Sequence, residues 1–277
     1  MTATRIYGKN AAYQKFEVLK TNRVKRYRYG EFFVEGVRNI NQAVKNGWSF
    51  SSLLYTDEQP LSRWAQGCLK DIKTEVNYIL PAALMRELSG KEDASELLAV
   101  IKMRPDAPGS LALSDCPLLA LFDRPSNRGN LGTMIRSLDA LGADALIVTG
   151  HAVDVYDPEV VSSGMGSFFN LPVVRMHDQK DIDALIADLR ARYPGFQALA
   201  TTAHRQSPLD EADLTAPCLL MIGNETDGLC KALYAAADQT ITIPMAETSS
   251  ASSFNVACAA TVILYEITRQ RRAKARG

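Results

Sequence analysis

A rhythm that begins at Leu118 restricts the fold more than any other feature of this chain. Short apolar runs recur at residues 118–122, 145–148, 172–174, 198–201, 219–222 and 240–243. Between most of them lie apolar residues at helical spacing, at 131–141, 182–189 and 229–237, and a last helical pattern follows the sixth run. Near-continuous apolar strands alternating with helices predict a parallel sheet covered on both faces. Ligands of such sheets bind just beyond the carboxyl ends of the strands. The loops at those ends are therefore where chemistry is expected.

The first hundred residues carry a separate α/β pattern. Strands are expected at 32–34, 51–55, 76–80 and 97–103. Helices are expected from Val37 to Gly47, over 61–69, and from Pro81 through Leu88, proline being well placed in a first turn. Pro105, Ala107, Pro108, Gly109 and Ser110 then form a breaker-rich stretch. The predicted organisation is one domain over 1–104, a linker over 105–117 and a second domain over 118–277. A length of 277 residues allows two such domains, and 47% apolar with 22% charged residues is a globular composition.

Composition also excludes. The five cysteines are odd in number, far apart and never paired as Cys-x-x-Cys, which argues against a disulfide framework or a zinc site. Three histidines, His151, His177 and His204, show no metal-ligand spacing, so no metal is expected. His151 and His204 follow strand ends, where either could touch a ligand or simply meet solvent. No apolar run approaches the ~18 residues of a membrane span, and no secretory signal is expected, so the expected compartment is the cytoplasm.

The net charge of zero hides a polarity. Arg5, Lys9, Lys15, Lys20, Arg23, Lys25, Arg26 and Arg28 face only Glu17 among acids, with Tyr27 and Tyr29 interleaved. The chain ends in a second basic stretch, from Arg269 to Arg276. Basic segments on a neutral body suggest a polyanion partner held through phosphates. Arg23, Lys25, Arg26 and Arg28 are the candidate RNA contacts. Solvated, partly mobile termini would carry the same charges.

Three strand–loop–helix junctions could carry chemistry. At the first, Asn130 stands at a helix entrance, where it can cap free N–H groups, and Arg136 lies off the apolar stripe of Leu131, Met134, Ile135 and Leu138. It reads as a capped helix with an ordinary exposed arginine, or as an anion- or ribose-binding helix start. At the second, a strand runs into Gly223, which permits close backbone approach, followed by Glu225 and Asp227. Acids at a helix entrance also suit the helix dipole alone. At the third, Ile243, Pro244 and Met245 lead into a polar loop ending in Ser253, Phe254 and Asn255. A helix with a small-residue face follows, suited to packing on another helix or another copy of itself. No Gly-Lys-Ser/Thr phosphate loop occurs, no Gly-x-Ser-x-Gly elbow occurs, and Gly164-Met165-Gly166 lacks the last glycine of a dinucleotide fingerprint.

Together and in this order, the three stretches resemble the signature motifs of the SpoU (TrmH-like) RNA ribose 2′-O-methyltransferases of the SPOUT class. Asn130 and Arg136 match the first motif, Gly223 and Glu225 the second. Ile243-Pro244-Met245 with Ser253-Phe254-Asn255 matches the third, with phenylalanine where the family has leucine. The match covers about residues 118–272, and 1–104, with its run 32–37, looks like the family's ribosomal-protein-L30-like RNA-binding domain. Residues 121–158 are most similar to a 23S rRNA branch linked to avilamycin resistance.

The resemblance implies a C-terminal trefoil-knotted α/β domain with a parallel sheet, a smaller N-terminal L30-like α/β domain, S-adenosyl-L-methionine as cofactor, and a homodimer with the site at the subunit interface. By position, Thr201, Gly223, Ile243 and Phe254 would line the cofactor pocket. Arg136 would grip the target phosphate and hydroxyl, since a guanidinium keeps its proton above about pH 12 and makes a poor base. Asn130, Glu225, Ser253 and Asn255 would orient Arg136, the ribose and the cofactor. Positive charge on sulfur is lost as the methyl group moves, so the transfer asks for no metal. Positioning alone can lower such a barrier by roughly 7–11 kcal/mol. The implied function is ribose 2′-O-methylation of RNA, with 23S rRNA as the expected substrate. A tRNA-directed enzyme and a non-catalytic rRNA-binding or assembly factor are the alternatives. Loss of Arg136 or of the Ser253/Asn255 pair would mark the latter, and all three residues are present.

Overall fold

The computed structural model describes residues 3–91, 94–202 and 207–276. The chain divides into two units, Met1–Pro105 with Asp154–Asn170, and Asp106–Val153 with Leu171–Gly277.

The first unit opens with β1 (Ala3–Arg5), α1 (Ala11–Thr21) and α2 (Arg23–Tyr29). Then come β2 (Glu31–Glu35), α3 (Val37–Lys45), β3 (Phe50–Tyr55), α4 (Arg63–Asp71), β4 (Asn77–Ile79), α5 (Ala82–Ser89) and β5 (Leu97–Lys102). The strands form one sheet in the order β1-β4-β3-β5-β2. β5 runs antiparallel to both neighbours, whereas β4 runs parallel to β1 and β3. α1 and α2 were not expected from the sequence. Their charges hide an apolar face on which Tyr13, Phe16 and Leu19 recur every third residue and are buried. Asn10 and Asn22 cap the two helices through their side chains. Pro81 is the residue before α5 rather than its first residue.

The second unit follows the predicted rhythm. β6 (Leu118–Asp123), α6 (Arg128–Ala140) and β7 (Ala145–Thr149) come first. The chain then forms α7 (Pro158–Ser163) within the first unit. It returns as β8 (Val173–Met176), α8 (Gln179–Arg192), β9 (Gln197–Thr201), β10 (Cys218–Ile222), α9 (Lys231–Ala236), β11 (Gln239–Ile241) and α10 (Val256–Lys274). Their sheet has the order β11-β9-β10-β6-β7-β8, and every pairing in it is parallel. Leu119, Leu121, Ile147, Ala200 and Met221 bury one face against α8 and α9. The alternate residues Ala120, Phe122, Leu146, Val148 and Leu220 point to the opposite face and are buried too. Each fully buried Val, Leu, Ile, Phe or Met among them contributes about 1.5–3 kcal/mol by leaving water. α10 packs on α6, and the Ser137 and Thr261 hydroxyls meet across that contact at 2.7 Å.

Residues 154–170 correct the expected domain limits, because they belong with the first unit rather than with 118–277. Phe32 of β2 stacks near Tyr156, Phe168 and Phe169, with ring centroids 4.9, 5.8 and 6.2 Å away. Trp48 donates its indole N–H to the Phe169 carbonyl at 2.9 Å. This aromatic cluster draws a segment that lies in the second half of the sequence into the core of the first.

Candidate active site

Three loops leave the carboxyl ends of β6, β10 and β11, and side chains from all three meet. Glu225, after β10, accepts from the Ser126 amide at 3.0 Å, the Ser126 hydroxyl at 2.8 Å, the Asn127 amide at 3.2 Å and Asn130 Nδ2 at 3.2 Å. With its amide nitrogen so engaged, Asn130 offers Oδ1 to Asn255 Nδ2 at 3.0 Å. Asn255 is the N-cap of α10, and its Oδ1 accepts from the Ala257 and Cys258 amides at 3.0 and 3.3 Å. One hydrogen-bonded chain therefore runs from the β10 loop through α6 to the start of α10.

The cap of α6 differs from expectation. Asn127, not Asn130, caps the helix, accepting from the Asn130 amide at 2.9 Å. Asn130 lies in the first turn, which frees its side chain to bridge Glu225 and Asn255. Burial works against the charge of Glu225 more than any other single influence. The amide and hydroxyl of Ser126, its own amide and Asn130 together outweigh that cost, and the carboxyl is held below the usual range.

These groups border a cavity of about 490 Å³. Asn130, Glu225, Ser253 and Asn255 line it, and so do Thr201, Gly223, Ile243 and Phe254. Gly223 is required sterically: a Cβ there would stand 2.2 Å from the Leu229 nitrogen and 2.3 Å from the Gly228 carbonyl carbon. Leu229 and Gly228 come that close because residues 224–228 fold back as a tight turn, with Asn224 and Gly228 exchanging backbone hydrogen bonds of 3.0 and 3.1 Å. Sequence reasoning missed Thr202, Ile222, Ile241 and Met245 on the wall, and Ala259 and Ala260, whose small side chains leave room beside α10. The alanines were visible as a small-residue helix face but read as a packing surface. Among the described residues no lysine, arginine or histidine lines the cavity, and Glu225 is its one ionisable side chain.

Arg136 does not line that cavity. It is exposed on α6 and borders a separate, largely apolar groove with Leu141, Val262 and Tyr265. His151 is exposed, and His204 lies outside the described residues. Among the described residues no cluster of His, Cys, Asp and Glu could hold a metal ion, and no helix is long and apolar enough to cross a membrane.

The candidate RNA contacts separate into two kinds. Arg23 and Arg28 are exposed and Lys25 is half-buried, with Arg23 lying over the Tyr27 ring at 5.7 Å. Arg26 is 1% exposed and corrects the expectation. Its guanidinium donates to Asp154 at 2.7 Å, to Asp157 at 3.4 Å, and to the Leu19 and Lys20 carbonyls at 3.0 and 3.1 Å. A phosphate cannot reach it. Other charges of the basic segments are engaged as well: Lys9 with Glu87, Lys15 with Glu31, and Lys20 with the last carbonyls of α5. In the C-terminal stretch, Arg271 donates to the Cys116 and Ala216 carbonyls at 2.8 and 2.6 Å. Arg269, with help from Gln270, pulls the Glu266 carboxyl down to about 2.

The second unit is a parallel sheet whose strand-end loops border a cavity, and the first carries exposed cations on α2. The chain belongs to the SpoU rRNA methylase family, which residues 117–265 match, and residues 10–99 match the SpoU L30e-like domain. It is 45% identical to a 23S rRNA (uridine(2479)-2′-O)-methyltransferase of Streptomyces viridochromogenes, over 97% of this chain and 93% of that protein. It is 27% identical to the 23S rRNA (guanosine(2553)-2′-O)-methyltransferase RlmP of Bacillus subtilis, over 94% of this chain and 97% of that one. The crystal structure of the SpoU methyltransferase AviRb from Streptomyces viridochromogenes with the cofactor AdoMet superposes with a TM-score of 0.89 at 44% identity, covering 95% of this chain and 99% of that one.

Proposed function

We propose that this protein transfers a methyl group from S-adenosylmethionine to a ribose 2′-hydroxyl of 23S rRNA in the cytoplasm. The observation that carries the reading is the character of the cavity joined by Glu225, Asn130 and Asn255. Walls of Ile222, Ile241, Ile243 and Ala260 suit an adenine, and Gly223 lets backbone approach a ligand closely. Among the described residues no cation lines the space, which disfavours a phosphate-bearing cofactor, and the Glu225 carboxylate is compatible with a sulfonium. The relatives add the reaction: one is named for 23S rRNA 2′-O-methylation, and AviRb holds AdoMet.

When bound, S-adenosylmethionine supplies an electrophilic methyl group. The chain's own residues bind and orient. An ionised carboxylate has about four acceptor sites. Ser126 N, Ser126 Oγ, Asn127 N and Asn130 Nδ2 supply donors for all four. Glu225 therefore holds the loops together and does not take a proton. Ser253 and Asn255 present polar groups at the cavity wall to the ribose. Arg136 would hold the target phosphate and favour the developing alkoxide. Because Arg136 borders an apolar groove with Val262 and Tyr265, 42% and 54% exposed, the reading includes a homodimer formed through that face. It also includes the trefoil knot of the second unit, and RNA contact by Arg23, Lys25 and Arg28 of the L30e-like domain.

The test is transfer of labelled methyl groups to 23S rRNA, followed by mapping of 2′-O-methyl positions. Wild type is expected to label one position of 23S rRNA and no tRNA. Arg136→Ala is expected to lose transfer by about 10²–10³-fold or more while keeping cofactor affinity. Transfer by that variant at the wild-type rate would remove Arg136 from the site.

A further inference from the structure

We infer that Asp123 and Arg124 form a latch that fixes the Gly223–Cys230 loop, and that both are positioning residues for the methyl transfer proposed above. The inference rests on that reading for its functional consequence, but not for its geometry.

Asp123 is the last residue of β6 and is 2% exposed. One carboxylate oxygen accepts from the Thr149 hydroxyl at 2.9 Å and from Arg124 Nε at 3.1 Å. The other accepts from Arg124 Nη2 at 3.0 Å and from the Cys230 amide at 2.9 Å. The acceptor sites are thus filled, and one of the donors is the backbone at the far end of the β10 loop. Arg124 adds two more ties to that loop. Its carbonyl accepts from Asn224 Nδ2 at 2.6 Å, and its Nη2 approaches the Gly228 carbonyl at 3.4 Å.

The backbone of Arg124 is left-handed, with φ of 49°, a conformation that a non-glycine residue adopts only when its surroundings impose it. This turn aims the carbonyl at Asn224. The side chain has reserved space: a Cβ at Gly150 would stand 2.5 Å from Arg124 Cγ. The loop is thereby held at residues 224, 228 and 230 by groups that do not themselves line the cavity, whereas Gly223 and Glu225 within it do. The stitching is reciprocal, since Glu225 grips the amides of the β6 loop while Asp123 grips an amide of the β10 loop. Loosening either side moves the Gly223 wall and the carboxylate that fixes Asn130 and Asn255. Cofactor geometry is then expected to suffer before the fold does.

The test compares Asp123→Asn, Arg124→Gly and Arg124→Ala with wild type. Glycine loses the whole side chain but accepts the left-handed turn; alanine loses all beyond Cβ and keeps the unfavourable turn. Three readouts are taken: hydrogen exchange of the 224–230 amides without ligand, Kd for S-adenosylmethionine, and kcat with the KM for cofactor at saturating rRNA. The expected result is faster exchange confined to that loop and weaker cofactor binding in the order wild type, Arg124→Gly, Arg124→Ala. Asp123→Asn should lose about tenfold or more in affinity, the scale of one charge-assisted hydrogen bond. The KM for cofactor should rise more than kcat falls. Unchanged loop exchange in folded Arg124→Gly and Asp123→Asn would overturn the latch, as would a lower Tm with wild-type exchange and Kd. Should Asp123→Asn not fold, Arg124→Gly decides alone. Wild type that exchanges slowly at this loop yet fails to bind the cofactor would refute the proposed function and leave the latch to the exchange data.

Discussion

Two polar clusters in this molecule are both rich in charge and hydrogen bonds and differ in kind. Around Arg26, a guanidinium, two aspartates and a tyrosine are packed inside the first unit, with Tyr27 donating to Asp154 at 2.8 Å. Around Glu225, which also accepts from Ser126, the carboxylate and the side chains of Asn130 and Asn255 sit at the edge of an open cavity. Both are well supplied with partners. In the first, Arg26 and Asp154 are buried and the guanidinium is spent on protein partners; the second spends its carboxylate on the scaffold and leaves Ser253, Phe254 and the wall facing open space. Charge in a motif therefore says little about function until burial is known.

The largest effect is expected from Arg26→Ala. Removing one partner of a buried ion pair leaves Asp154 uncompensated and is expected to cost about 3–5 kcal/mol of stability, read by denaturant unfolding. RNA affinity of the folded fraction should stay near wild type. A stable variant with weakened RNA binding would return Arg26 to the interface.

Replacing Arg23, Lys25 and Arg28 together with alanine is expected to do the opposite. Stability should change little, while the slope of log affinity for rRNA against log salt should flatten by roughly 2, given about 0.7 per phosphate contact on single strands. An unchanged slope would place the RNA on another surface.

A smaller effect concerns acid. The Glu225 carboxyl is held below the usual glutamate value, so the stability it contributes is fully present above the unfolded value of about 4.3. It is lost as pH falls through the folded value. The Tm difference between wild type and Glu225→Gln should therefore shrink from pH 6 to pH 3. A difference that stays constant or grows over that range would mean that the charge of Glu225 is not what its neighbours hold.

Much of the architecture was legible because it is local. The alternation of apolar runs with helical spacing after Leu118 reads as β6, α6 and β7 and then β8 to α10, but not as α7. Of the candidate site, the residues that line the cavity were legible because they sit at short, fixed distances beyond strand ends, whereas Arg136 falls outside it. What remained hidden depends on partners far along the chain. Arg26 and Asp154 are 128 positions apart, and nothing near either residue announces the other. Residues 154–170 carry no local mark of belonging with β2, since the pull comes from Phe32 and Trp48. Propensity favours asparagine as a cap but does not choose between Asn127 and Asn130; the demand of Glu225 for donors does. α1 and α2 were obscured differently, by a charge pattern that drew attention from the spacing of Tyr13, Phe16 and Leu19.

The most direct measurement is calorimetric titration of S-adenosylmethionine into wild type and Gly223→Ala, with Tm recorded for both. A Cβ at residue 223 collides with backbone at Leu229 and Gly228, which cannot yield as a flexible side chain would. The account predicts one cofactor site per chain in wild type and its loss in a folded Gly223→Ala. Equal binding by the two proteins, or none by wild type, would contradict it.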